Sequence, residues 1–381
     1  MSIPLFKVAM NPDISTFLTP VLTSGFITQG PKVEEFEKQL LDYIGNSKLL
    51  TLNAATSGLT LALRLLFNQD SSFNWPGMEV GDEVLTSALT CTATNWPILA
   101  NNLNIKWVDI DQNTANMNLD DLKNKLSTKT KVILVVHWGG TPVDLEKLQG
   151  IQDYSFDKFG FRPMIIEDCA HAFGAEYKDQ NLGNHGNICV FSFQAIKHLT
   201  TGDGGMIVLP YDTLYERAKL LRWYGIDRNA RNFNRKDFRL EKDIEEWGYK
   251  FHMNDIAATI GLSNLSVAIE NVEKHRNNAK YYSENLQNIK GITLMEYNPD
   301  SSYWIYTLKV DRKQEFINYM KENGVSVSQV HNRNDNHSCV NQYKVQLPEL
   351  DELENSLICI PVGWWLSHDD LDKIISLIKK F

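Results

Sequence analysis

The 381-residue chain reads as an α/β protein: a mainly parallel sheet with helices on both faces, plus a smaller C-terminal α+β domain. Three observations predict it. Short apolar runs of strand length alternate with helical patterns through the first two-thirds, as in a sheet buried on both sides. From Asp255 the texture changes to long helices with a single strand-like run, which suits a separate α+β unit. The length also exceeds the roughly 250–300 residues at which single cores stop growing, so two closely packed domains are expected, at 1–250 and 251–381.

The strand-like runs of the first part lie at 84–86, 105–108, 132–136, 164–166, 188–193 and 206–209. Between them, 56–67 carries Leu59, Leu63 and Leu66 at helical spacing after a polar opening, and 120–126 and 143–148 read as shorter helices. The second part is expected as a helix at 256–286, a strand at 303–310, a helix at 313–322 and a closing helix at 369–378. The stretch 68–81, rich in Ser, Asn, Pro and Gly, reads as a surface loop, and the charge-dense 228–243 as a mobile one.

Composition narrows the function. Hydrophobic content of 43% and charged content of 22% fit a soluble protein with a large core and exclude disorder and collagen-like repeats. A net charge of −9 argues against a nucleic-acid surface, which needs gathered basic residues. No charged start followed by an apolar region occupies 1–10, and no run reaches the ~20 apolar residues that span a bilayer, so a cytoplasmic protein without membrane segments is expected. Five scattered cysteines, an odd number, suit a reducing compartment, and the nine histidines show no metal-ligand spacing, so no metal is expected.

Three stretches carry chemistry. Ser192-Phe193-Gln194-Ala195-Ile196-Lys197-His198-Leu199-Thr200-Thr201-Gly202-Asp203-Gly204-Gly205 follows a strand and ends in a glycine-rich turn, where a side chain can project into a cleft. A partly desolvated lysine there has its pKa lowered and becomes an amine nucleophile toward an aldehyde, although most lysines are solvated surface charges. The stretch Ile165-Ile166-Glu167-Asp168-Cys169-Ala170-His171 is an apolar strand ending in acids, which places Asp168 and His171 beyond a carboxyl edge, where α/β sheets bind ligands. Asp168 reads equally as a helix N-cap. Finally, Asn53-Ala54-Ala55-Thr56-Ser57-Gly58 puts small hydroxylated residues at a helix start, either a phosphate site or a plain cap.

In this order, phosphate cradle, acid and lysine, the chain resembles the DegT/DnrJ/EryC1/StrS family of sugar aminotransferases, which have the fold-type I aminotransferase architecture. The resemblance extends from Ser24-Gly25-Phe26-Ile27-Thr28-Gln29-Gly30-Pro31 to the run 357–361, and the lysine stretch is its most specific part. It implies pyridoxal 5'-phosphate as cofactor, held by Lys197 as a Schiff base, with Asp168 against the pyridine nitrogen to keep the ring an electron sink. His171 would lie near the phenolic oxygen, and Thr56, Ser57 and Ser192 would hold the phosphate. The implied reaction moves an amino group from an amino acid, glutamate foremost, to a keto sugar, nucleotide-linked and ketonic at C4 or C3. A homodimer with its active site at the subunit interface is also implied.

Four positions depart from the family pattern: Ala55 where glycine is usual, Cys91 where an aromatic stacks on the cofactor, Lys250 where an asparagine reaches the partner's cofactor phosphate, and His252 where arginine is usual. Lys250 would serve as a cation in the asparagine's place. His331 falls where the family has a substrate-side histidine. Arg222, Tyr224 and Arg228 are candidates for a diphosphate, and Trp364 and Trp365 either stack on a base or sugar or pack in the core. Competing readings are a small keto phosphate as acceptor, a sugar dehydratase of the same fold with histidine replacing the lysine, for which His198 is the residue to check, and a non-catalytic relative. A nicotinamide-dependent dehydrogenase lacks its G-x-G-x-x-G.

Overall fold

The computed structural model describes residues 2–228 and 243–381, so the charge-dense 228–243 lies, apart from its two ends, outside the described residues. The chain begins with helices α1 (Ile14–Ser24) and α2 (Pro31–Ile44) and strand β1 (Leu49–Leu52), followed by α3 (Ala55–Leu65), β2 (Glu83–Ser87), α4 (Thr92–Ala100) and β3 (Asn104–Val108). Next come α5 (Leu119–Lys125), β4 (Thr130–Val136), α6 (Leu145–Phe159), β5 (Met164–Asp168), the short β6 (Glu176–Tyr177) and β7 (Gln180–Asn181), β8 (Ile188–Ser192), β9 (Gly205–Val208) and α7 (Asp212–Leu221). The second part holds α8 (Asp255–Asn285), β10 (Ile292–Leu294), β11 (Tyr306–Val310), α9 (Lys313–Glu322), α10 (Pro348–Glu354), β12 (Leu357–Ile360) and α11 (His368–Lys380).

Seven strands form one sheet in the order β1-β9-β8-β5-β4-β2-β3, with apolar cores on both faces. Within it β9 alone runs against the rest, pairing antiparallel with β1 and β8. That reversal turns the segment between β8 and β9 into a return loop on one edge of the sheet. The second part is an antiparallel sheet, β10-β11-β12, with a core of its own that includes α8, α9 and α11 and also Ile3 from the start of the chain. Ile3 exchanges backbone hydrogen bonds with Gly324 and Ser326.

All six expected strands of the first part are present within a residue or two. The four-residue β1 was not anticipated, since Leu49-Leu50-Thr51-Leu52 has no alternation and is too short to distinguish from a helix end. The run expected as a strand from 303 pairs only from Tyr306, and 303–305 is buried outside the sheet.

Asp255 shows how distant residues complete local structure. Its carboxylate accepts hydrogen bonds from the backbone N–H groups of Gly30, Lys32 and Val33, capping α2, whose own N-cap residue is a glycine with no side chain to offer. A Cβ on Gly30 would sit 2.7 Å from Asp255 Oδ2, so the glycine admits the carboxylate. Replacing Asp255 by alanine leaves these N–H groups without their charged acceptor and is expected to lower unfolding free energy by roughly 2 kcal/mol in a urea titration.

Candidate active site

The ends of β1, β2, β5 and β8 meet at the carboxyl edge of the sheet, the edge where open α/β sheets place ligands. The return loop after β8 starts at Ser192, paired with Gly205 across the strands, and is closed by Phe193 N to Gly204 O and Thr201 N to Phe193 O, both 2.9 Å. Asn264 on α8 clamps its far side by donating to Thr200 O. Lys197 stands on this loop, just past a turn in which its N–H bonds to Gln194 O. Burial pulls its amine down to about 7, against the raising influence of Asp168 and then Cys91.

Asp168 ends β5 and is buried. Its Oδ2 accepts from Thr94 Oγ1 at 2.7 Å and its Oδ1 from Ala170 N at 3.0 Å, while burial pushes its carboxyl above the usual range. Thr94, itself bonded to Thr90, is a residue that sequence reasoning did not single out. Beside Asp168 on the other side of the sheet, Glu167 accepts from His137 Nε2 at 2.8 Å and from Asn187. His137, Glu167 and Cys169 are close enough to share a cation, but His137 Nδ1 accepts from Val143 N, which leaves Nε2 as the protonated donor to Glu167.

The start of α3 lies directly after β1. Its N-cap, Ala54, has no side-chain oxygen, so the first turn is not capped from within. A Cβ on Gly205 would lie 2.6 Å from Ala55 N, so this glycine lets β9 pass close beneath that turn. Thr56 is exposed, Ser57 partly so, and Ser192 is buried close by on β8. The backbone around Lys250 runs alongside the same turn: Asn53 N bonds to Phe251 O, and Asn53 Nδ2 to Lys250 O at 3.3 Å. The Lys250 side chain is exposed.

Three rings line the other side. His171 lies parallel to Trp304 at 4.0 Å between centroids and to His331 at 5.4 Å, with 3.4 Å between the two Nε2 atoms. Burial holds both histidines neutral, His171 well below its ordinary value and His331 at about 4. His171 Nδ1 is buried without a hydrogen-bond partner. His331 follows Val330, whose φ of 69° is in the left-handed region and strained for a β-branched residue. Trp304 was read only as part of a strand, and the sequence offered no signal beyond its place in Ser301-Ser302-Tyr303-Trp304.

Other candidates have commitments elsewhere. Arg222 is buried with its Nη1 bonded to Glu37 Oε1 at 2.6 Å and to Thr51 O at 2.9 Å, so a diphosphate would have to compete with a carboxylate for it. Tyr224 is exposed, and Arg228 Nη2 donates to Gln29 O. Trp364 has the Lys7 ammonium 5.3 Å from its ring, and Trp365 Nε1 donates to Pro4 O. His198 Nε2 bonds to Ser302 O at 3.0 Å, and its ring is buried against His275. His252 is buried, with burial lowering its pKa to about 4.

A family model described as the DegT/DnrJ/EryC1/StrS aminotransferase family matches residues 9–379. Among solved structures, AtS13 from Actinomadura melliaura superposes with a TM-score of 0.93 at 46% identity, covering 100% of this chain and 99% of that one. The sugar aminotransferase CalS13 from Micromonospora echinospora gives 0.93 at 45% identity, with 99% of each chain covered. A curated relative, the UDP-4-amino-4-deoxy-L-arabinose–oxoglutarate aminotransferase of Shewanella sediminis, is 29% identical over 81% of this chain and 76% of its own.

The lowered pKa of Lys197 has a direct consequence. Only the free base attacks electrophiles, and a depressed pKa makes the free base dominant above about 7 and the ammonium dominant below it. In cofactor-free protein, labelling of Lys197 by an amine-directed reagent, followed by peptide mass spectrometry, should rise through neutral pH. Ordinary surface lysines should rise some three units higher, at about 10.4.

Proposed function

We propose, from the premise that the chain belongs to the DegT/DnrJ/EryC1/StrS aminotransferase family, that it transfers an amino group from L-glutamate to a nucleotide-linked keto deoxysugar at C4 or C3. Members of this family are pyridoxal-phosphate-dependent sugar aminotransferases, so the chain is an enzyme of that class. The observation that carries the assignment of residues is the pairing of a buried amine, Lys197, with a buried carboxyl, Asp168, at one sheet edge beside an uncapped helix start.

The residues present fit the cofactor. The unpartnered Nδ1 of His171 supplies a hydrogen-bonding group for a phenolic oxygen, and the α3 start, which no N-cap side chain satisfies, supplies N–H groups for a phosphate. Thr56, Ser57 and Ser192 add hydroxyls there, and the exposed Lys250 adds a cation for the phosphate of a second subunit. When bound, pyridoxal phosphate supplies an aldehyde that accepts the amino group and a ring that spreads negative charge. Lys197 is the covalent anchor. Its Nζ, when free, would take the proton from the donor's Cα and deliver it to the cofactor's former aldehyde carbon, a task suited to a pKa of about 7. Asp168, oriented by Thr94 and the Ala170 N–H, would pair with the pyridine nitrogen and favour its protonated form. His331 is the candidate contact for the sugar, with Tyr224 and Trp364 further out; Arg222 would join them only by yielding Glu37.

The name of the Shewanella sediminis relative pairs an amino sugar linked to a nucleotide with oxoglutarate, the keto acid that glutamate leaves behind, and this supports the choice of donor and acceptor. Elimination by a dehydratase-like histidine finds no support at His198, whose ring is tied to Ser302 and shielded by His275. A homodimer is supported by apolar side chains left in the open on and after α1, among them Leu22 at 54% and Phe26 at 75% exposure, beside Phe17 and Ile27. Among the described residues no helix is long and apolar enough to cross a membrane.

Two measurements test this reading. Protein reconstituted with pyridoxal phosphate should show the visible absorbance of the lysine-bound cofactor, absent in Lys197→Ala and bleached by glutamate, and a screen of nucleotide-linked keto sugars against a small keto phosphate should regenerate it with the former. A band that persists in Lys197→Ala sinks the assignment. Light scattering should give about twice the 43.6 kDa chain mass, falling toward the monomer in a Leu22→Asp, Phe26→Asp double variant.

A further inference from the structure

We propose that Trp304 is a positioning residue for Lys197: the face of its indole seats the lysine amine whenever that amine is not bonded to the cofactor. The inference rests on the reading of Lys197 as anchor and proton carrier. Lys197 Nζ lies 3.5 Å from the centroid of a Trp304 ring, and among the described residues the ammonium has no hydrogen-bond acceptor. The electron-rich face of an indole attracts a cation at this distance, more strongly where water is excluded.

Trp304 is fixed far beyond what filling space requires. Its Nε1 donates to Ile196 O at 2.9 Å, the carbonyl next to Lys197, so ring and lysine share one frame. Phe6 and His171 lie nearly parallel to it at 4.8 and 4.0 Å. The backbone that delivers it is buried and held at each step: His198 donates to Ser302 O at 3.0 Å, His275 to Tyr303 O at 2.8 Å, and Ser302 Oγ to His171 O at 3.1 Å. Tyr303 adopts φ of 47°, a left-handed conformation unusual for a bulky residue, and this turn sets the direction in which Trp304 leaves the chain.

A π face suits the task better than a carboxylate. An acid against Nζ would hold the proton too firmly to be returned, whereas bare burial would disfavour taking it up. The indole stabilises the ammonium moderately and leaves the proton transferable. The titratable groups around the amine are Asp168 at the end of β5, Cys91 before α4, and the rings of His171, His198 and His331, and none of the histidines carries charge near neutrality.

The decisive experiment uses cofactor-free protein labelled with 5-fluorotryptophan, with the Trp304 resonance assigned by its loss in Trp304→Phe. That resonance should shift with pH about a midpoint near 7, and the shift should vanish in Lys197→Met. A resonance that stays flat, or that titrates unchanged in Lys197→Met, overturns the proposal. A second arm measures Lys197 labelling against pH: Trp304→Leu, which keeps apolar bulk but loses the π face, should move the midpoint down by about one unit, and Trp304→Phe by less than half of that. With cofactor and glutamate, Trp304→Leu should lower kcat about tenfold at unchanged KM and Trp304→Phe should recover much of it. A midpoint unchanged or raised in Trp304→Leu, or equal kcat, means that the indole only packs. The cofactor band should survive in both Trp304 variants; its fate in Lys197→Ala reports separately on the anchor.

Discussion

The site depends on burying one amine and one carboxyl within reach of each other. Withdrawal from water disfavours charge on both, so it lowers Lys197 and raises Asp168, and their ordinary separation of several units narrows from both sides. Each then lies nearer neutrality than its free counterpart. Among the described residues neither group has a direct salt bridge, which would have fixed both charges. Asp168 instead leans on the Thr94 hydroxyl and a backbone N–H, and Lys197 on an aromatic face.

The rest of the fold can be understood as what it takes to hold those two groups at one edge. The single reversed strand, β9, brings the chain back beside the end of β8, so the two ends of the connection that carries the lysine are bonded to each other at the same sheet edge. A parallel neighbour would have started at the opposite edge of the sheet and left those ends apart. The neutral histidines around the site, His171, His198, His275 and His331, supply hydrogen bonds without adding a competing charge.

Much of this was legible in the sequence. Lys197, Asp168 and the α3 turn could be read as candidates because each lies in a contiguous stretch whose pattern is local: a strand, then a turn or helix start, then a side chain able to do chemistry. Trp304 was not, because its role arises where the end of one domain folds against the other, and nothing in Tyr303-Trp304 announces a left-handed tyrosine or a partner at Ile196. The cap that Asp255 provides for α2 was hidden for the same reason, with 225 residues between donor and acceptor. Arg222 illustrates the converse: a basic residue near the expected ligand looks free in a sequence, and only the fold reveals Glu37 bonded to it.

Ile3 packs in the core of the second domain although the rest of that core's buried residues run from Ala279 onward. Conversely, Trp304, Ile305, Leu350 and Cys359 of the second part pack in the core of the large sheet, and Asp109 accepts from the N–H groups of Glu349 and Leu350. The two parts therefore interlock along a broad seam instead of meeting at a hinge. The lysine loop is gripped from the second part at two points, by Trp304 at Ile196 O and by Asn264 at Thr200 O, and Phe6 brings the N-terminal segment against the same indole.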